Sequence, residues 1–222
     1  MAEVKRAAAA IVAVLLVLAV VAQLVLPGIA ERRVRDELEA VAAVSDVEVS
    51  AFPAVKLLLG EVDSLSARLS DAEAGQGELA DLIARTERID RLRVTAGRAQ
   101  VAGLELTDAV LVKDGERLHA EATITREQIS RALPAGARVD RISSAGGELL
   151  VEGVFEVFGF QLAGPARVAP RDGAIVLSPE SGLGALAQLT LFRDPRVQVG
   201  ALSATERGDR LRAGADGRLT GG

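Results

Sequence analysis

Several residue types that often build functional sites are absent from this 222-residue chain or scarce in it. There is no cysteine, tryptophan or tyrosine, and His119 is the one histidine. Without cysteine the chain cannot form a disulfide framework, a thiolate metal site or a cysteine nucleophile. Its only aromatic rings are five phenylalanines, so it has few side chains that stack on bases, sugars or flat cofactors. The net charge of −5 argues against a basic surface for nucleic acid. We therefore predict no cofactor, no metal and no nucleic-acid partner.

One long apolar run stands near the N-terminus. Ala7–Leu26 is interrupted only by Gln23 and, as a helix, would span about 30 Å, the thickness of a bilayer core. It is interpreted either as an uncleaved signal anchor or as a cleaved export signal, because Gly28 and Ala30 place small residues where a signal peptidase needs them. Both interpretations place the following chain outside the cytoplasm, exported or on a single-pass anchor. The predicted organisation is a signal segment at 1–30, one domain at 31–217 and a flexible tail at 218–222.

Alternation of apolar and polar residues dominates the rest of the chain. The clearest case is Arg117–Ile124, which follows the turn Lys113-Asp114-Gly115 and predicts a β-hairpin with Leu104–Val112. Similar patterns predict strands at Val47–Ala51, Ser64–Ser70, Leu92–Ala96, Val139–Ser143, Glu148–Phe158, Arg167–Ala169, Ala174–Leu177, Val197–Ala204 and Asp209–Ala215. Helical spacing or capping predicts helices at Glu31–Val44, Pro53–Leu59 and Arg126–Leu133, with a partly helical Ser181–Phe192 and a frayed glycine-rich tail from Gly214.

These elements predict an α+β fold, a mostly antiparallel sheet of eight to ten strands with short helices, preceded by the transmembrane or signal helix. The block Val47–Leu69 adds a more specific pattern: a strand, Phe52-Pro53, the leucine-rich turn Leu57–Leu59 with Gly60, and a second strand. With the later hairpins, the helix ending at Leu133-Pro134 and the strand Ala174–Pro179, this order resembles the LmeA-like phospholipid-binding family of actinobacteria over residues 30–217.

The resemblance implies an extracytoplasmic domain with a curved antiparallel sheet wrapped on a helix, similar to tubular lipid-binding proteins. It implies binding of anionic phospholipid or phosphatidylinositol-type glycolipid at the membrane and support of cell-envelope lipid or lipoglycan (mannan) biosynthesis. An envelope glycosyltransferase is a candidate protein partner. No catalysis of its own is expected.

The residues themselves are compatible with lipid binding, because an aliphatic interior with few aromatic rings can enclose a flexible acyl chain. Three adjacent leucines on one turn cannot all face the same core, so Leu57–Leu59 with Phe52 are predicted to line the lipid entrance. The predicted lipid-binding residues are Phe52, Val55, Leu57, Leu58, Leu59, Phe155, Phe158, Phe160 and Leu186. Arg68, Arg91 and Arg93 are the predicted headgroup contacts. The alternative is that the apolar residues simply fill the core.

Two other functions remain open alternatives. One is a membrane-anchored extracytoplasmic scaffold or accessory protein that acts through protein contacts and carries no lipid. The other is an unrecognised hydrolase, although the usual nucleophile, zinc and phosphate-loop motifs are missing. His119 lies on the polar side of its strand and is predicted to be a surface residue, and the stripe Glu148, Glu152 and Glu156 is too widely spaced to share a metal or proton.

Overall fold

A computed structural model describes residues 26–36, 42–52, 56–57, 61–74, 86, 88–101, 103–132, 138–157, 160–180 and 188–220. Residues 26–36 are α-helical (α1), and a second helix, α2, covers Arg126–Ala132. The remaining elements within these ranges are twelve strands: β1 Ala42–Ser50, β2 Val62–Ala74, β3 Ile89–Val101, β4 Leu104–Asp114, β5 Arg117–Thr125, β6 Arg138–Ala145, β7 Glu148–Val157, β8 Phe160–Arg171, β9 Ala174–Pro179, β10 Leu189–Phe192, β11 Val197–Arg207 and β12 Arg210–Leu219.

The strands form two sheets. The larger sheet has seven strands in the order β1-β2-β3-β4-β5-β12-β11, and the smaller has five in the order β10-β9-β8-β7-β6. Neighbouring strands are antiparallel except β2 and β3, which run parallel. A parallel pair requires a crossover, and the connection from Ala74 to Ile89 supplies one.

The smaller sheet covers the β11 edge of the larger sheet. Leu202 on β11 donates a backbone hydrogen bond to Gly147 in the β6–β7 turn at 2.7 Å, and Val199 donates to Gly173 in the β8–β9 turn at 3.4 Å. These contacts satisfy edge groups of β11 that would otherwise face solvent. The main core lies between the two sheets; its buried members include Leu118, Ile124, Val139, Ile142, Val151, Ala166, Val168, Leu177, Val197, Val199, Leu202, Ala204 and Leu211.

Helix α1 covers the opposite edge of the larger sheet, at β1 and β2. Ala30 and Val34, one helical turn apart, pack on a second cluster whose buried members are Val47, Val49 and Ala67. The side chain of Glu31 accepts a hydrogen bond from the backbone N–H of Val49 at 3.3 Å. The larger sheet therefore has separate apolar clusters toward its two edges.

Irregular pairing occurs along several strands of the larger sheet. The register shifts between Val44 and Asp46 on β1, between Thr107 and Val110 on β4, and between Val199 and Ala201 on β11. At the β4 irregularity Asp108 adopts a positive φ of 50°. Because β-bulges bend a strand and increase its twist, these positions are consistent with the predicted curved sheet.

The predicted strands and hairpins are confirmed, and α2 is confirmed as Arg126–Ala132. Its capping box is present: Thr125 Oγ1 accepts a hydrogen bond from the Gln128 backbone N–H at 3.2 Å, and Gln128 Oε1 accepts one from the Thr125 backbone N–H at 2.9 Å.

Three predicted boundaries are wrong. Ala42–Val44 begin strand β1 rather than end a helix, Leu189–Phe192 form a strand, and Gly214–Leu219 continue β12 instead of fraying. The predicted count of eight to ten strands is also too low, since the described residues form twelve. In each case pairing with a neighbouring strand overrides the local sequence preference.

The described residues contain no helix that is both long and apolar enough to cross a membrane. Apart from Leu26, the predicted membrane run Ala7–Leu26 lies outside those residues, as do most of the predicted helix Pro53–Leu59 and residues 181–187.

Candidate functional site

The two faces of the larger sheet differ sharply in chemistry. Cross-strand partners share a face, so the register of the strands assigns each side chain to one face of the sheet. One row joins Ser66, Arg93, Val112, His119 and Asp216 across five neighbouring strands, and it belongs to a polar face. On the opposite face, which we call the aliphatic face, the apolar residues of the same strands lie together.

One row of side chains crosses the aliphatic face from β2 to β11. Its first and last residues are well buried, and the residues between them are more exposed. It runs from Ala67 through Val94, Leu111, Ala120 and Ala215 to Leu202. Ala67 is buried beneath α1 and Leu202 beneath the smaller sheet. The four residues between them are only half-buried, although Val94 packs against the cluster beneath α1, and Leu111 and Ala215 pack against the main core. We call Val94, Leu111, Ala120 and Ala215 the aliphatic strip. It crosses three strand spacings, about 14 Å.

The composition of the strip explains its partial exposure. Two of its four side chains are alanines, and the adjacent row adds half-buried Ala109, Ala122 and Ala213. Alanine projects a single methyl group, so these strands cannot fill the space above the sheet by themselves. The surface above these alanines is apolar.

One charged residue lies on the aliphatic face beside the strip. Lys113 pairs with Leu92 and Leu118, shares the face of Leu111 and is only 3% exposed. Its Nζ donates a hydrogen bond to the Ile89 carbonyl, which offsets part of the cost of burying the ammonium. Sequence reasoning missed Lys113, although its alternation with Leu111 was a usable signal.

A polar cavity of about 520 Å³ opens at the end of the larger sheet where β1 ends and β2 and β3 begin. Its lining residues are Lys56, Glu61, Val62, Asp63, Arg88 and Asp90. Two cations face three carboxylates, so the lining offers both donors and acceptors without favouring an anion. Its polar lining differs from the aliphatic interior that the sequence predicts for an acyl chain.

Asp63 organises that end of the sheet. Its carboxylate accepts hydrogen bonds from Lys56 Nζ at 2.8 Å and from the Phe52 backbone N–H at 2.6 Å. The hydrogen bond from Lys56, and after it the one from Phe52, lower the pKa of Asp63. The Lys56–Asp63 hydrogen bond also raises the pKa of Lys56. The contacts hold the backbone at Phe52, while the Phe52 side chain is 75% exposed.

The predicted lipid-binding residues are only partly within the described chain. Phe52 is exposed, and Leu57 is half-buried against the cluster beneath α1. Phe155 lies on β7 and Phe160 on β8. These strands pair Phe155 with Leu162 and Val157 with Phe160, so the backbones of the two phenylalanines are two positions apart in the register. Val55, Leu58, Leu59, Phe158 and Leu186 lie outside the described residues. Phe52 and Leu57 are thus placed near the β1–β2 connection, apart from the strands β7 and β8 in the other sheet.

The predicted headgroup arginines lie on the polar face. Arg68, Arg91 and Arg93 are exposed, and each is one residue away along its strand from members of the aliphatic face. Arg68 forms an ion pair with Asp46 at 2.9 Å. Alternation therefore separates these arginines from the aliphatic strip, which sequence spacing alone did not reveal.

The remaining polar candidates form ordinary surface pairs. His119 Nδ1 lies 2.7 Å from Asp216 on the exposed polar face, as predicted. Glu148 pairs with Arg167 at 2.8 Å, and Glu152 lies 3.7 Å from Arg141. Hydrogen bonds to Glu180, the stronger cause, and to Glu148 raise the pKa of Arg167.

The family profile of LmeA-like phospholipid-binding proteins matches residues 19–217, nearly the whole chain. The chain belongs to the LmeA-like phospholipid-binding family. Searches of curated proteins and of solved structures found no significant match. For this LmeA-like protein, the family therefore indicates phospholipid as the ligand.

Proposed function

We propose that this protein binds a phospholipid or phospholipid-based glycolipid by laying an acyl chain over the aliphatic strip of the larger sheet. The observation that carries the proposal is the half-buried row Val94, Leu111, Ala120 and Ala215 between two well-buried ends. An apolar row in the middle of a seven-stranded sheet would ordinarily be covered by its own domain. A lipid tail supplies the missing cover, in keeping with membership in a phospholipid-binding family.

The energetics of such binding are adequate. Burial of one methylene contributes about 0.8 kcal/mol, so four methylenes laid over the strip contribute about 3 kcal/mol before ordering costs. The strip has no aromatic ring, which leaves the acyl chain free to adopt many conformations. The affinity then depends on the length of chain covered and little on any single contact.

The proposed location is the outer side of the cytoplasmic membrane, either on the apolar segment Ala7–Leu26 or as an exported domain. In that place a lipid-binding domain supports the synthesis of cell-envelope lipids or lipoglycans by presenting a lipid to a membrane enzyme, with a glycosyltransferase as the candidate partner. We assign no catalytic role to the domain itself; the ion-paired surface position of His119 supports this assignment.

Native mass spectrometry of the gently purified full chain tests lipid binding directly. We expect a mass increment that corresponds to co-purified phospholipid and that disappears after organic extraction. The variant Ala215→Asp places a carboxylate on the strip, and we expect it to lose the lipid because a charge next to an alkyl chain is strongly disfavoured.

The matched control is Ser203→Asp. Ser203 is exposed on the polar face, where it pairs with Gly214, the residue next to Ala215 in the chain. The substitution Ser203→Asp therefore introduces the same charge on the polar face. Circular dichroism establishes that both variants fold. If folded Ala215→Asp carries as much lipid as Ser203→Asp, the strip is not the binding surface. A wild-type chain that carries no lipid would favour the scaffold alternative.

A further inference from the structure

Two large apolar side chains are strongly exposed near one end of the larger sheet. Phe52, just after β1, is 75% exposed, and Ile29 on α1 is 49% exposed. This end, which we call the Phe52 end, also carries the row Ser50, Ser64 and Arg91 and the polar cavity. Exposed aromatic and aliphatic side chains held on a folded edge are typical of surfaces that contact a membrane or a partner.

The direction of α1 follows from chain length. Glu31 contacts the Val49 backbone, and Val49 lies about 23 Å along β1 from Ala42. Only six Cα–Cα steps join Asp36 to Ala42, so they span at most about 22 Å. A helix that ran away from Ala42 would place Asp36 about 30 Å from it, beyond this reach, so α1 runs back toward Ala42. Its other end, at Leu26, consequently points toward the Phe52 end of the sheet.

This direction brings the end of the apolar run, Leu26, to the same place. Leu26 is the last residue of Ala7–Leu26, and it lies about 7 Å along the helix axis from Glu31. A membrane segment that leaves the domain at Leu26 would place the Phe52 end against the bilayer, and the opposite end of the sheet away from it.

Charge at this end is mixed, because the polar cavity adds exposed Glu61 and Asp90, but the exposed apolar side chain on α1 has basic neighbours that suit an anionic lipid surface. Arg32 and Arg33 are exposed on α1 beside Ile29, and Arg88 is exposed at the start of β3. Apolar side chains flanked by basic residues are the usual composition of interfacial membrane contacts. The carboxylate of Asp63, which faces the cavity, is already bonded to Lys56 and to the Phe52 backbone.

We propose that the Phe52 end docks on an anionic phospholipid bilayer, with the Phe52 ring inserted among the lipids. This inference rests on the membrane location in the proposed function. Docking would bring the aliphatic face next to the membrane, so that a lipid could pass to it without full exposure to water.

The absence of tryptophan from the chain permits a direct test. The variant Phe52→Trp places a single fluorophore at the proposed contact in the full chain, reconstituted in phosphatidylcholine vesicles with phosphatidylglycerol. We expect a blue-shifted emission that is quenched by acyl-brominated lipids and protected from aqueous iodide. The matched control is Arg207→Trp, an exposed site far from the Phe52 end. Arg207 pairs with Arg210, which pairs with Thr125, about 27 Å along β5 from Arg117. Arg117 lies in one row with Asp114 and Arg91, the row at the Phe52 end. We expect its emission to be quenched by iodide and not by brominated lipid.

Equal iodide quenching of the two variants would overturn the docking proposal. Native mass spectrometry of the same chains separates this result from failure of lipid binding. Co-purified lipid together with a water-exposed F52W fluorophore refutes docking and leaves the lipid-binding proposal standing. A membrane-embedded F52W fluorophore on a chain without lipid supports docking and contradicts the lipid-binding proposal.

Discussion

Ala120→Leu distinguishes an open aliphatic strip from a closely packed core. Ala120 lies at the centre of the strip on β5, paired with Leu111 on one side and Ala215 on the other, and it is half-buried. The substitution adds three carbon atoms. If the space above the sheet is open, these atoms cover apolar neighbours; if it is filled, they collide with them.

The two cases predict opposite signs for the change in the free energy of unfolding. Three added carbons would contribute about 2.4 kcal/mol if fully buried, so a half-buried site gives a gain of about 1 kcal/mol. In a filled core the same substitution costs about 1–3 kcal/mol through strain. Ala166 on β8 provides the matched control, because it is 0% exposed within the core between the sheets. We expect Ala166→Leu to be destabilising.

Urea unfolding of the delipidated protein measures both variants. We expect Ala120→Leu to unfold at the same or a higher urea concentration than the wild type, and Ala166→Leu at a lower one. In a thermal melt each kcal/mol corresponds to about 2–4 °C for a domain of this size. If Ala120→Leu loses as much stability as Ala166→Leu, the strip is part of a filled core and cannot hold an acyl chain.

Three further substitutions, one of them with a matched control, test the fold itself. Gly153→Ala should cost about 1–3 kcal/mol in urea unfolding, because its Cβ would lie 2.1 Å from a carbonyl oxygen of β6, whereas Gly200→Ala meets nothing closer than 3.8 Å and should be much milder. Thr125→Ala removes the N-cap of α2 and should cost about 1 kcal/mol. A hydrogen bond from Arg196 lowers the pKa of Asp194 below its usual 3.8, so that contact stabilises the fold at neutral pH, and the stability is lost as the pH falls through the lowered pKa. Asp194→Asn should therefore weaken the protein at pH 7 and match the wild type in strong acid.

The sequence predicted strands well where alternation and turn residues agreed. Arg117–Ile124 has strict alternation and follows Asp114-Gly115, and both the strand and its hairpin are present. Gly214–Leu219 failed because glycine has low strand propensity, yet pairing with β5 and β11 holds it in the sheet. Local composition could not anticipate that two neighbours would flank this segment.

The candidate site was harder to predict than the strands. The sequence placed Leu118, Ala120, Ala122 and Ile124 on one face correctly, but register across several strands was needed to align Ala120 with Leu111 and Ala215. The headgroup arginines illustrate the same difficulty. Basic residues next to apolar ones in a strand point to the opposite face, so proximity in sequence is misleading there.

An apolar strip without full cover has a thermodynamic consequence. A ligand that binds only the folded state raises the free energy of unfolding by about 2.7 kcal/mol when its concentration is one hundred times its Kd. Phospholipid should therefore raise the melting temperature of the delipidated protein. Ala120→Leu already fills part of the strip, so lipid should raise its melting temperature less than that of the wild type. An equal lipid-induced rise in both proteins would mean that the lipid binds elsewhere, whatever the stability of the variant alone.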